Sequence, residues 1–296
     1  MIRFLASFLL LFVLSGVQAE EVFLEDNGVR LNAQLSLADG KSVKDGVVLM
    51  LHGTFAHNQM EIMQTVADLL NEQGYSTLAI TLGLNVDNRH GMLDCGITHT
   101  HKHTDALKEI GLWMEWLKGQ GAGKVALLGH SRGGNQIAWY AAKNPDPMVT
   151  SVILIAPATW DIKYEVADYK KRYNEHLKIT MDRALEQQKR GNGEAILRPV
   201  GFVYCPDAAV SADSFVDYYT DRPERNTPTV IQDIKAPVLI FAGSEDDVVK
   251  DLIPQVEAIK KPGKIDMVVI DGSDHFFRDL YAEDLVDEAT AYLGWE

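Results

Sequence analysis

Short, unbroken apolar runs recur along the chain, each followed by a segment in which apolar residues return every three or four positions. The runs are Gly46 to Leu51, Tyr75 to Leu82, Val125 to Leu128, Val152 to Ala156, Pro237 to Ala242 and Ile265 to Ile270. A strand without a polar face must be covered on both sides, as in a parallel sheet flanked by helices. The intervening segments supply the covers. Ile62, Met63, Val66, Ala67, Leu69 and Leu70 share one helix face, closed by Gly74, and Ala106, Leu107, Ile110, Trp113, Met114 and Leu117 share another. Ile137, Ala138, Ala141 and Ala142 form a third, stopped at Asn144-Pro145. A helical stretch lies near Leu252 to Ile259, and Leu285, Val286, Ala289, Tyr292 and Leu293 make a closing helix. Glu21 to Leu37 alternates instead, which predicts an antiparallel edge pair turning at Asp26-Asn27-Gly28. The pattern therefore predicts an α/β domain with a mostly parallel central sheet flanked by helices.

The alternation breaks between Pro157 and Lys235. Tyr169, Tyr173, Leu177, Met181 and Leu185 fall at four-residue steps, predicting one long helix from about Ile162 to Arg190 with Gly191 beyond its end. A Pro- and aromatic-rich stretch follows. Segments inserted here in an α/β sheet lie over the carboxyl ends of the strands, where ligands bind, so residues 158–233 are expected to form a helical lid. Residues 1–19 do not fit the domain pattern. Arg3, the apolar run Phe4 to Leu14 and the small-residue site Val17-Gln18-Ala19 predict a signal peptide cleaved after Ala19, with a domain of residues 20–296 exported to the periplasm or beyond. The run is too short for a permanent membrane anchor.

The chemistry gathers around Gly129-His130-Ser131-Arg132-Gly133, where an apolar strand turns directly into a helix. That turn strains its central residue and requires nearly side-chain-free neighbours, which Gly129 and Gly133 provide. A serine hydroxyl is a weak nucleophile at neutral pH and needs a base, oriented by a carboxylate. Two later strand-ending loops offer them: Gly243-Ser244-Glu245-Asp246-Asp247-Val248-Val249 and Asp271-Gly272-Ser273-Asp274-His275. With its Ser, Asp, His order, the chain from about Val47 onward resembles the α/β-hydrolase superfamily, in its esterase- and lipase-like branch of serine hydrolases.

That resemblance implies Ser131 as nucleophile, His275 as general base and Asp246 as orienting acid, with Glu245, Asp247 and Asp161 as alternatives for the acid. It implies oxyanion donors at the N–H of Arg132 and, after His52-Gly53, at Thr54, with Phe55 as the neighbouring choice. The expected activity is cleavage of a small carboxylic ester through an acyl-enzyme. Peptidase, amidase and thioesterase activity on the same groups are alternatives, as is a non-catalytic ligand- or metal-binding protein that retains the fold. Phe55, Trp160 and Phe276 are candidate substrate contacts, and Tyr164, Phe202, Tyr204, Phe215, Tyr218 and Tyr219 offer further apolar lining. No cofactor is expected, because the superfamily's chemistry needs none.

Charge narrows the partners. A formal net charge of −14 excludes nucleic acid and disfavours anionic membranes, leaving small neutral or partly cationic substrates as the expectation. The two cysteines, Cys95 and Cys205, would meet an oxidising compartment after export, where they form either a bridge or two separate buried thiols. His90, His99, His101 and His103 cluster in one loop, near Asp94, Cys95 and Asp105. Residues 99, 101 and 103 would share a face in an extended chain. Two readings follow: a zinc or copper site, or a polar loop at the rim of the site, capped by Thr104 or Asp105 at the next helix. No metal is expected on the second.

Overall fold

The computed structural model describes residues 18–295. The chain opens with β1 (Gln18–Asp26) and β2 (Val29–Leu37), then β3 (Val47–Leu51), α1 (Glu61–Glu72), β4 (Ser76–Thr81), the two-residue β5 (Thr98–His99) and α2 (Asp105–Gly119). It continues through β6 (Val125–His130), α3 (Arg132–Lys143), β7 (Val149–Ile155), α4 (Ile162–Tyr173), α5 (Leu177–Lys189), β8 (Ile196–Phe202), β9 (Cys205–Ser211), α6 (Ala212–Tyr219) and α7 (Thr227–Val230). β10 (Val238–Gly243), α8 (Leu252–Glu257), β11 (Ile265–Ile270) and α9 (Leu280–Leu293) complete it. The predicted signal segment lies outside the described residues except for Gln18 and Ala19, which head β1 opposite Leu37 and Ser36.

Eight strands form one sheet in the order β1-β2-β4-β3-β6-β7-β10-β11. β1 and β2, and β2 and β4, pair antiparallel; from β4 onward every neighbour is parallel. Every residue of β3, β4, β6 and β10 is buried. Their apolar character follows from position: α1 packs beside α9, and α2 beside α3, so no strand at the centre has a wet face. Each buried Val, Leu or Ile contributes about 1.5–3 kcal/mol of transfer free energy.

The insertion between β7 and β10 departs from the sequence pattern in two ways. The expected single helix is two, because Asn174 adopts a left-handed conformation (φ 54°, ψ 26°) and caps α4, while the four-residue spacing continues undisturbed into α5. The insertion also carries a β-hairpin, β8 with β9, beside its helices. β5 adds to that hairpin through Thr98 with Ala209 and His99 with Val210, making a second, three-stranded sheet. Cys95 and Cys205 are disulfide-bonded, with Cα atoms 5.3 Å apart, so the loop after β4 is joined to the insertion both covalently and by a strand ladder. No helix of the described residues is long and apolar enough to cross a membrane.

Candidate active site

Ser131 sits between β6 and α3 with φ 55° and ψ −123°, a left-handed backbone that costs an ordinary residue on the order of 1–3 kcal/mol. The turn exists because its neighbours are bare. A Cβ on Gly133 would lie 2.2 Å from the His52 carbonyl oxygen, and one on Gly129 would lie 2.6 Å from that of Gly133. The elbow is tied to β7, since Ser131 N–H donates to Ile155 O at 2.9 Å and Ala158 N–H donates to Ser131 O at 2.9 Å.

The two later loops are brought together by another glycine. A Cβ on Gly243 would fall 2.4 Å from Ser273 O, so only glycine lets the end of β10 pass this close to the segment before His275. Asp246 and His275 then meet. His275 Nδ1 donates to Asp246 Oδ2 at 2.8 Å, which leaves Nε2 as the acceptor for the Ser131 hydroxyl at 2.9 Å. Asp246 Oδ1 accepts from the N–H groups of Val248 (2.7 Å) and Val249 (3.0 Å). Burial pushes the Asp246 carboxyl up, but the hydrogen bond and charge of His275 and the two backbone donors outweigh it and hold the group below its ordinary value. Both side chains are shielded, at 5% exposure for His275 and 3% for Asp246. The alternative acids are elsewhere: Asp161 caps α4 through Lys163 N–H at 2.7 Å, while Glu245 and Asp247 are exposed.

The backbone N–H groups of Thr54, Phe55 and Arg132 find no acceptor among the described residues. The loop carrying the first two is held from beneath by His52 and Arg89. His52 Nδ1–H donates to Gly53 O at 2.8 Å, and Nε2 accepts from Leu82 N–H at 3.1 Å. Arg89, 4% exposed, donates to the carbonyl oxygens of Leu82, Gly91 and Ala56, each at 2.7 Å, and its Nη2 lies 3.3 Å from His52 Nε2. Burial and the Arg89 charge hold His52 neutral, with its pKa pushed down to about 3. A lone arginine in a polar loop carries no periodic signal, and the sequence did not single out Arg89.

Phe55 is 4% exposed, with φ 57°, and its ring stacks on His99 at 5.8 Å and meets His101 and Phe202 at 5.5 and 6.2 Å. It joins the loop after β4 to the insertion rather than forming an open wall. Trp160 is half-buried and donates from Nε1 to Asp221 at 3.0 Å; Phe276 lies edge-on to the His275 ring at 5.3 Å.

The histidine loop is not a polar rim. His99, His101 and His103 are at most 1% exposed: His101 Nδ1 lies 3.0 Å from the Tyr218 hydroxyl and His103 Nε2 lies 3.2 Å from Asn135 Oδ1. Burial pushes His101 down to about 3 and His103 well below its ordinary value. His90 points away, to Glu21 on β1 at 2.6 Å. Among the described residues no group of three or more His, Cys, Asp or Glu side chains is arranged to hold a metal ion.

A doubly flanked parallel sheet, with a serine at a strained strand-to-helix turn facing a histidine and an aspartate on later strand ends, defines an α/β-hydrolase. The model of the serine aminopeptidase S33 family of hydrolases matches residues 42–196, just over half the chain, and the protein belongs to that family. The matched span includes Thr54 and Ser131 and stops short of Asp246 and His275. Est1E from Butyrivibrio proteoclasticus superposes with a TM-score of 0.62 at 18% identity, covering 92% of this chain and 98% of that one. The esterase domain of a Rhodothermus marinus protein gives 0.57 at 20% identity, with 94% and 100% covered. The Pyrococcus furiosus esterase Pf2001 gives 0.59 at 16%, with 94% and 92% covered. At these identities the likeness establishes the fold alone. No curated protein sequence matches the chain.

Proposed function

We propose that the protein is a serine hydrolase that cleaves carboxylic esters through an acyl-enzyme on Ser131. The observation that carries this is the hydrogen-bond chain from Ser131 through His275 to Asp246, with distances of 2.9 and 2.8 Å. Ser131 Oγ attacks the acyl carbon as His275 Nε2 takes its proton; the alcohol leaves with that proton, and water, activated by the same imidazole, releases the acid. Asp246 fixes the tautomer that leaves Nε2 free. The N–H groups of Arg132 and of Thr54, with Phe55 as its neighbour, stabilise the tetrahedral oxygen. Esterase names among the structural neighbours favour this bond class.

In Ser131→Ala, kcat on 4-nitrophenyl acetate is expected to fall about 10⁵-fold or more, with the melting temperature unchanged. Retained turnover in that variant would sink the assignment. The family's description as aminopeptidases supports a second reading, amide cleavage on the same groups. Comparing 4-nitroanilides with 4-nitrophenyl esters of the same acyl group separates the two. Export, expected from residues 1–19, draws support from the Cys95–Cys205 bridge, since disulfides persist in oxidising compartments.

A further inference from the structure

Two arginines beside the nucleophile lack a carboxylate partner among the described residues. Arg132 donates from Nε to Thr54 Oγ1 at 3.0 Å, has Nη1 3.3 Å from His103 Nδ1, and lies 5.5 Å over the Tyr218 ring. Arg225, in the turn Pro223–Arg225, is 3% exposed. Its Nη2 donates to the backbone carbonyl of Asp217, its guanidinium lies 4.9 Å over Trp160, and its Nε is buried without a partner. The same turn rests on the first turn of α3, where Asn135 Nδ2 donates to Glu224 O at 3.0 Å. Trp160 follows two residues after Ala158, which holds Ser131 O. Arg132 is thus the neighbour of Ser131 in the chain, and Arg225 reaches the same end of α3 through the turn before α7 and the Trp160 ring.

No nearby acid pairs directly with either arginine among the described residues, although the Asp217 charge acts on Arg225. The Asp217 carboxylate accepts from Thr104 N–H at 3.2 Å and Thr104 Oγ1 at 3.0 Å, and pairs with Arg222 at 3.8 Å. Glu165 on α4 is close enough for both arginine charges to act on its carboxyl, yet it makes no hydrogen bond or ion pair with either. Burial, then the Arg132 charge, pull Arg225 down to about 9. A buried cation without a directly paired carboxylate is costly, and a guanidinium offers a planar fork that fits one. A fold retains such a pair most economically where the ligand supplies the missing charge.

Building on the serine-hydrolase reading above, we propose that the ester substrate carries a carboxylate besides its scissile group, bound by Arg132 and Arg225. This differs from the neutral or cationic substrates that the net charge of −14 suggests, because the local field at Ser131 opposes that of the whole surface.

Two matched pairs test it by kcat/KM: 4-nitrophenyl hemiglutarate against 4-nitrophenyl pentanoate, with the acid on the acyl side, and 4-acetoxybenzoate against its methyl ester, with the acid on the alcohol side. The expected result is a preference of about tenfold or more for the anionic member of at least one pair, declining as salt is added. Arg225→Gln is expected to reduce that ratio about tenfold and Arg225→Lys to keep part of it. Glu165→Gln is expected to raise it. Turnover of the neutral esters with no anionic preference in either pair, or a preference that salt and both Arg225 variants leave unmoved, would overturn this inference and leave the hydrolase reading intact. No turnover of any of the four esters would overturn both.

Discussion

His130, the residue before the nucleophile, donates from Nε2 to the backbone carbonyl of His275 at 3.0 Å, and the two rings lie 5.0 Å apart. One side of the elbow thus holds the base's backbone while Ser131 engages its ring. Burial, followed by the His275 charge, pushes His130 down to about 3, and its Nδ1 is buried without a partner among the described residues, so the ring donates in its neutral form.

Acid should act through such histidines. His52, His101 and His130 have folded pKa values of about 3 against 6.5 unfolded, so the unfolded chain binds more protons between those values and stability falls as pH drops through that window. Glu109, raised to about 7 by burial, opposes one of them above 4.5. These four groups alone give a slope of about 3 kcal/mol per pH unit from 6.5 to 4.5 and about 4 below that. The loss amounts to on the order of 10 kcal/mol by pH 3, so for a stability of about 5–10 kcal/mol far-UV circular dichroism should show unfolding with a midpoint between about pH 3 and 5. A protein still folded at pH 2.5 would refute this.

Asp246→Asn should keep the fold and lose chemistry. An amide facing His275 Nδ1 no longer requires that nitrogen to carry the proton, so kcat should fall about 10⁴-fold with KM little changed. In the native protein the lowered Asp246 pKa adds stability that is complete above the ordinary carboxylate range and is lost as pH falls through the folded value. Steady-state kinetics at pH 7 decide the first point; a loss under tenfold would exclude Asp246 as the orienting acid.

Arg89→Ala removes the brace under the Thr54 loop. Two buried carbonyl oxygens and one part-buried one lose their donor. The expected cost is about 3 kcal/mol of stability in urea titration, with kcat reduced about a hundredfold as the oxyanion donors drift. A variant with native kcat would show that the loop holds its shape unaided.

Replacing Cys95 and Cys205 with serine opens a loop spanning 110 residues of sequence separation. Chain-entropy reasoning gives a loss of about 5 kcal/mol for such a loop, against about 2–4 typically found, visible as a lower urea midpoint with a somewhat larger m-value, since the opened unfolded chain exposes more surface. An unchanged midpoint would mean that the β5–β9 ladder holds the lid without the bridge.

The parallel core was legible because burial on both faces leaves a strand no polar position, as in Val47–Leu51. The candidate site was legible as far as it is local: Gly129 and Gly133 mark the elbow, and Asp246 and His275 occupy strand-ending loops whose order matches the superfamily. What depended on distant partners was not. The spacing from Tyr169 to Leu185 continues across Asn174, so periodicity could not reveal that break. Pro199 and Pro206 mask the hairpin, since proline argues against a strand. His99 and His101 are buried by Phe202 and Tyr218, more than 100 residues away, a contact with no sequence signature. The role of His130 was in plain view within the elbow, yet it depends on a carbonyl 145 positions onward.

The bond from Cys95 to Cys205, with the ladder beside it, would make the expected lid a fixed awning rather than a hinged door. Entry and exit then depend on the width of a standing opening, and turnover should be insensitive to the oil–water surfaces that swing mobile covers aside.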